Sequence, residues 1–189
     1  MKKLNTIVHK TPQDQFFYEM QVRKTLIHRA ARDFIYSRHL YSLPVTDLSE
    51  LGVEVRFALF ELLQLNLAKL FTDNKNQKYN VHRLLAQLRS KTFLPNHIPN
   101  DKLQLLADRL TSFQSTILGL QTTRDEWIAH TDALGGFAPL DSFFPTIEAL
   151  LQLGFELLDA SSQAILHTPV YNNLHVLLPL DLQLLKKAI

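Results

Sequence analysis

With 189 residues the chain is long enough for one globular domain with a hydrophobic core of its own. Hydrophobic residues make up 46% and charged residues 20%, which is ordinary globular usage and excludes a disordered protein. Cysteine is absent, which excludes disulfides and thiolate metal sites, and no stretch approaches the ~18 uninterrupted apolar residues that a membrane span requires. We therefore expect a single domain over residues 1–189, located in the cytoplasm and without membrane association.

The charge is unevenly distributed along the chain. The net charge is only +2, yet residues 1–43 carry eight Lys and Arg against three acidic residues. This basic segment is a candidate phosphate-binding face, with Arg29 and Arg32 as its contacts. The alternative interpretation is an ordinary solvated helix surface.

Helix start and stop signals follow one another along the chain. Thr11-Pro12-Gln13-Asp14 combines a capping hydroxyl, a proline and an acid, and predicts a long helix from about Pro12 to Tyr41. After Pro44, Thr46 or Asp47 can cap a second helix that ends near Phe71. That second helix is apolar nearly all round, so we expect it to be central.

Further helices are predicted in the second half. Their expected ranges are Asn80 to Arg89, Leu103 to about Trp127, Ser142 to about Ile165, and an amphipathic piece from Leu174 to Leu185. The turn signals between them are Pro95 to Asn100 and Gly135-Gly136. No segment alternates like a strand. The sequence therefore predicts an all-α fold, an antiparallel bundle of five to six helices.

The fourth predicted helix carries an apolar seam that ends in a charge. The seam residues, three and four apart, are Leu103, Leu106, Leu110, Phe113, Ile117 and Leu120. We expect this seam to face a partner helix. Continuing the same spacing reaches Arg124. Placing a guanidinium on an otherwise apolar helix face costs several kcal/mol unless the group is paired or meets water or a phosphate.

Residues 124–132 read Arg-Asp-Glu-Trp-Ile-Ala-His-Thr-Asp. This string resembles the motif of the HEPN superfamily, and most closely its abortive-infection U-type branch. The matching positions are Arg124, Asp125, Ala129, His130, Thr131 and Asp132. Glu126 departs from the pattern, because that branch usually has lysine there. The wider resemblance covers about Val53 to Asp132, including Lys69-Leu70-Phe71-Thr72-Asp73 and Leu84-Leu85.

The resemblance implies a HEPN-like, metal-independent endoribonuclease, acting as a toxin or phage-defence effector of the abortive-infection or toxin-antitoxin type. It implies catalytic roles for Arg124 and His130, with Asp125 orienting one of them, and it implies RNA as the substrate of the basic face. No metal or cofactor is expected. A cognate antitoxin is a further implied partner.

Helix geometry bears on how two such residues meet. Six residues advance an ideal helix by about 600°, so Arg124 and His130 point about 120° apart and lie ~9 Å apart along the axis. Two copies meeting at a two-fold axis bring the four side chains into one cleft. This agrees with the homodimeric composite site that the resemblance implies.

Other interpretations of the same residues remain open. His130 can stabilise a helix C-terminus, and Arg124 can form a structural ion pair with Asp125, Glu126 or Asp132. An arginine followed by a histidine after four to six residues also occurs from Arg23 to His28 and from Arg32 to His39, without the Ala-His-Thr-Asp context, and we predict no catalysis there. The rival function is a noncatalytic helical dimerisation or interaction module of the same fold.

Overall fold

The structure, a computed structural model, describes residues 11–74, 77–90, 94–95, 97–129 and 140–166. Within these ranges it is all-helical and contains no strand, which confirms the predicted helical bundle. The helices are α1 Pro12–Ser42, α2 Glu50–Phe71, α3 Val81–Ser90, α4 Asn100–Ser112, α5 Gln114–Ala129 and α6 Leu140–Leu166, with a short 3-10 helix Val45–Asp47. The predicted turn at Gly135-Gly136 and the predicted segment Leu174 to Leu185 lie outside the described residues.

Helix α1 begins where local hydrogen bonding dictates. The Thr11 hydroxyl accepts from the Asp14 backbone N–H at 3.1 Å, and the Asp14 carboxylate accepts from the Thr11 backbone N–H at 3.1 Å. This capping box satisfies two donors that a helix otherwise leaves without partners. Helix α2 begins later than predicted, because Ser49, and not Thr46 or Asp47, caps it by accepting from the Gly52 N–H at 3.1 Å.

The expectation that α2 is central holds only for its C-terminal half. Leu63 and Leu67 there are fully buried, whereas Leu51 is 72% exposed and Phe57 is 40% exposed in the N-terminal half. Helix α6 fills the centre instead, and packs against α1, α3 and α4. Its inner side chains, which are fully buried, include Ile147, Leu150, Leu151, Leu153, Phe155 and Leu157.

The predicted single helix from Leu103 to Trp127 is wrong in one respect, because it is divided at Phe113 into α4 and α5. Phe113 has φ −92° and ψ 8°, and its N–H turns to the carbonyls of Leu110 and Thr111. The hydroxyls of Thr111 and Ser112 also bond back to carbonyls of the preceding turn, at 3.0 and 2.7 Å. Such back-bonding competes with the regular ladder and bends helices.

The apolar seam is buried within the chain itself. Leu103, Leu106 and Leu110 on α4 and Ile117 and Leu120 on α5 are each 1% to 3% exposed. Helix α4 packs on α3 and α6, and α5 packs on α2. The partner of the seam is therefore the protein's own core, and the seam offers no surface to a second copy. None of the described helices combines the length and apolarity that a bilayer span requires.

Candidate active site at the end of helix α5

Arg124 continues the buried face of α5 that carries Ile117 and Leu120, and its side chain is only 12% exposed. Its Nε and Nη2 both donate to Oδ1 of Asp125, at 2.8 and 2.6 Å. The Asp125 side chain is 54% exposed. The charge on the apolar line is thus paired, as its position demands. This contact is compatible with both interpretations of Asp125, as a residue that orients Arg124 and as its partner in a structural ion pair.

A second group, from outside α5, meets the same guanidinium. The amide of Gln77 lies beside the Thr72 hydroxyl, whose only hydrogen is given to the Ala68 carbonyl at 2.5 Å. The Gln77 group that faces Thr72 must therefore be the amide nitrogen. In that orientation the nitrogen donates to Thr72 Oγ1 at 3.1 Å and to the Lys69 carbonyl at 3.0 Å, and the oxygen accepts from Arg124 Nη1 at 3.0 Å.

The turn that holds Gln77 is itself well bonded. The Gln77 N–H donates to the Asn74 carbonyl at 2.9 Å, and the Asn80 side-chain amide donates to the carbonyls of Gln77 and Asn74 at 3.0 and 3.3 Å. The Asn80 Oδ1 also accepts from the Arg83 N–H at 2.8 Å, which confirms the predicted N-cap of α3. The turn between α2 and α3 is therefore anchored at several points around Gln77.

The remaining donors of Arg124 define what the site can do. A guanidinium has five N–H donors, of which Asp125 and Gln77 engage three, so one N–H on each terminal nitrogen has no partner among the described residues. Two such donors suit the oxygens of a phosphate. His130, Thr131 and Asp132 lie outside the described residues, so the pairing of His130 with Arg124 stays a prediction.

The two predicted RNA contacts, Arg29 and Arg32, are exposed on α1. Arg32 Nε lies 3.9 Å from Oδ1 of Asp33, and the Asn66 side-chain amide donates to Oδ2 of Asp33 at 2.9 Å. Burial raises the pKa of the Asp33 carboxyl, although the Asn66 hydrogen bond and the charges of Arg32 and Arg29 oppose that shift. Asp33 thus sits beneath the basic surface that the two arginines form.

The position of Arg32 relative to the candidate site can be followed along helix α2. The Asp33–Asn66 bond places Arg32 level with Asn66 on α2. Lys69 and Thr72, which hold the Gln77 amide, follow Asn66 by three to six residues, or roughly 5 to 9 Å of helix rise. Measured along the helix axis, Arg32 therefore lies within about two turns of the residues that hold Gln77.

The other two arginine-histidine spacings do not form comparable sites. Arg23 is fully buried, and its Nη2 donates to Glu19, to Gln87 and to the Lys78 carbonyl at 3.2, 3.0 and 3.3 Å. The neighbouring His28 packs edge-on against Phe155, with ring centroids 5.5 Å apart. Arg23 therefore has no accessible surface for a substrate.

The buried pair has shifted ionisation. Burial lowers the pKa of the Arg23 guanidinium, and Glu19 partly opposes this shift. Burial alone raises the pKa of Glu19, but hydrogen bonds from Gln87 and Gln15 and the charges of Arg23 and Arg83 together hold it below its usual value. Both groups are therefore charged at neutral pH, and the pair is a structural ion pair inside the bundle.

A groove of about 560 Å³ lies between α3 and the junction of α4 and α5. Its polar lining includes His82, Arg89 and Thr111. His82 Nε2 lies 2.9 Å from the carbonyl oxygen of Phe71, the last residue of α2. The groove therefore opens beside the same end of α2. Across the described parts of the chain, no three His, Asp or Glu side chains gather as a metal site.

The sequence pointed to Arg124, to Asp125 and to Asn80 as the N-cap of α3, but not to the contacts that Gln77 and Thr72 make beside Arg124. The turn-forming residues at 73–80 predict a turn there, but they do not predict that this turn packs against Arg124.

Comparisons of the chain with protein-family models, with curated proteins and with solved structures find no match.

Proposed function

We propose that this protein is a HEPN-like, metal-independent endoribonuclease that acts as a homodimer. The observation that carries the proposal is the fixed Arg124 guanidinium near the end of α5, which Asp125 and Gln77 hold through three of its five donors. The proposed setting is that of a toxin or phage-defence effector restrained by a cognate antitoxin. This setting rests on the resemblance of residues 124–132 alone.

In the proposed reaction, the ribose 2′-hydroxyl attacks the adjacent phosphorus. His130 takes the 2′ proton, the P–O5′ bond breaks, and the 5′ oxygen leaves with a proton supplied by the second imidazole of the dimer. The products are a 2′,3′-cyclic phosphate and a free 5′-hydroxyl. An unperturbed imidazole titrates near pH ~6.5 and so can both accept and give a proton. Arg124 stabilises the charge that develops on the phosphorane oxygens.

Incubation of the purified protein with total RNA in excess EDTA tests this proposal. We expect cleavage to persist, because the reaction needs no metal. Activity that EDTA abolishes and Mg²⁺ restores contradicts the proposed chemistry. If no preparation cleaves RNA, the interaction module becomes the better assignment.

The exposed arginines Arg29 and Arg32 should bind RNA without taking part in chemistry. Their double replacement by Ala is expected to weaken RNA binding and to reduce the slope of log K against log salt by about 1.4, since each of the two phosphate contacts on a single strand contributes about 0.7. Fluorescence anisotropy at several salt concentrations measures both quantities. The matched control is Arg38→Ala, because Arg38 is equally exposed but is held by Glu148 at 3.0 Å. An unchanged slope in the double variant contradicts the assignment.

We predict that the protein is a homodimer at tens of micromolar, on the order of ordinary dimer affinities. An exposed apolar surface that a second copy can use, within the described part of the chain, is the stripe of α2 with Leu51, Val55, Ala58 and Leu62 on one face. Leu62→Glu should therefore dissociate the dimer in analytical ultracentrifugation. Leu105→Glu on α4, where Leu105 is 59% exposed, is the matched control. A monomeric wild type removes the composite site.

The second candidate function is a noncatalytic interaction module. The same stripe favours it, because Leu51, Val55 and Leu62 are 72%, 39% and 48% exposed on one helix face. The exposed acidic residues Glu50 and Glu54 directly precede Leu51 and Val55 of the stripe in the sequence. If Leu62→Glu abolishes self-association while neither wild type nor variant cleaves RNA, assembly is the function that remains.

A further inference from the structure

We propose that Gln77 is a positioning residue for Arg124: its side-chain oxygen fixes the guanidinium plane against the rest of the bundle. This inference rests on the proposed ribonuclease function and adds a residue to that site. Gln77 lies 47 positions before Arg124 and outside the residues that carry the resemblance at 124–132. Its link to Arg124 is the 3.0 Å contact between Gln77 Oε1 and Arg124 Nη1.

Gln77 is held firmly enough to position another group. Its amide nitrogen donates to the Lys69 carbonyl at 3.0 Å and to Thr72 Oγ1 at 3.1 Å, both at the C-terminal end of α2. Its backbone is bonded to Asn74 and Asn80. All hydrogen-bonding groups of the side-chain amide therefore have partners, and one of these partners is Arg124. A side chain that several hydrogen bonds hold in place can in turn hold a functional group in one orientation.

Asp125 alone cannot hold the Arg124 guanidinium in one orientation relative to the rest of the bundle. It is the next residue on the same helix and is half exposed, so it moves with Arg124 and binds only the Nε and Nη2 edge. Gln77 binds the opposite nitrogen from another part of the fold. As a neutral acceptor it orients the guanidinium without adding a second negative charge, which leaves more of the positive charge for a phosphate.

The test is single-turnover and steady-state RNA cleavage by Gln77→Leu, with Gln104→Leu as the matched control. Gln104 is an exposed residue of α4 that bonds to Asp108 and Arg89. We expect Gln77→Leu to lower kcat by about 10- to 100-fold with KM changed less than about threefold, because orientation is lost and charge is not. Gln77→Glu keeps an acceptor for Arg124 but turns a second oxygen towards the Lys69 carbonyl and Thr72 Oγ1, where the amide nitrogen donates. We therefore expect it to recover kcat only in part and to raise KM, because its carboxylate repels phosphate.

A direct readout of the contact accompanies the kinetics. In ¹⁵N NMR, the Arg124 Nη resonances should be resolved in wild type and Gln104→Leu, and should merge in Gln77→Leu as rotation of the guanidinium is freed. Wild-type kcat in Gln77→Leu overturns the positioning role while the ribonuclease proposal stands. A wild type that cleaves no RNA overturns both proposals, and the NMR comparison then reports only whether the contact exists.

Discussion

Replacing Arg124 or His130 by Ala is expected to reduce RNA cleavage by a factor on the order of 10² or more while the helical fold stays intact. Arg124→Ala removes the donors that stabilise the phosphorane, and His130→Ala removes the group that moves the proton. Folding should tolerate Arg124→Ala, because the carboxylate left behind on Asp125 is 54% exposed to water. Single-turnover cleavage of a labelled RNA and far-UV circular dichroism measure the two properties.

Matched variants separate chemistry from charge. Arg38→Ala removes the same charge from α1, where Arg38 pairs with Glu148 at the surface, and His97→Ala removes an exposed imidazole from the loop before α4. Both should cleave RNA at close to the wild-type rate. The catalytic assignment fails if His130→Ala matches them.

The second large effect concerns stability. Arg23→Leu should lower the free energy of unfolding by about 3 to 5 kcal/mol, because it leaves the Glu19 carboxylate buried without its main cationic partner. The Arg23 side chain is 0% exposed and that of Glu19 is 4% exposed, so water cannot replace the lost contact. Urea denaturation followed by circular dichroism measures the change.

Two further variants test whether burial of the Glu19–Arg23 pair causes that loss of stability. Replacing Glu19 and Arg23 together by Leu should recover most of it, since Nε and Nη1 of Arg23 have no hydrogen-bond partner among the described residues and the pair is imperfectly satisfied. Arg83→Leu, from a side chain that is 43% exposed and 3.8 Å from Glu19, should cost less than about 1 kcal/mol. Equal losses for Arg23→Leu and Arg83→Leu contradict a role for burial.

Helix boundaries were predictable where a local hydrogen bond decides them. Thr11 with Asp14 predicts the start of α1, and Asn80 predicts the start of α3, because side chains within three residues satisfy the first free N–H groups. The division at Phe113 was not predictable from periodicity, since the apolar spacing runs through it without a break. The backbone N–H of Phe113 turns there to the carbonyls of Leu110 and Thr111, a change in backbone hydrogen bonding that side-chain spacing does not report.

For the apolar seam, the sequence predicts burial but not the surface that covers it. Its spacing correctly identifies a buried helix face, but spacing alone does not say whether the covering surface belongs to the same chain or to a second copy. The positions of α2 and α6, which depend on the whole fold, decide this. Likewise the sequence identifies Arg124 and Asp125 as an unusual pair, whereas Gln77 reaches Arg124 only through the folded turn after α2.

The chemistry of the RNA ends tests the central claim most directly. Wild-type protein is incubated with a defined RNA in EDTA, and the products are analysed by mass spectrometry. We predict fragments that end in a 2′,3′-cyclic phosphate, with matching 5′-hydroxyl fragments, and predict that both disappear in His130→Ala. Fragments with 5′-phosphate ends, or cyclic phosphate ends that persist at the wild-type rate in His130→Ala, would contradict the proposed mechanism.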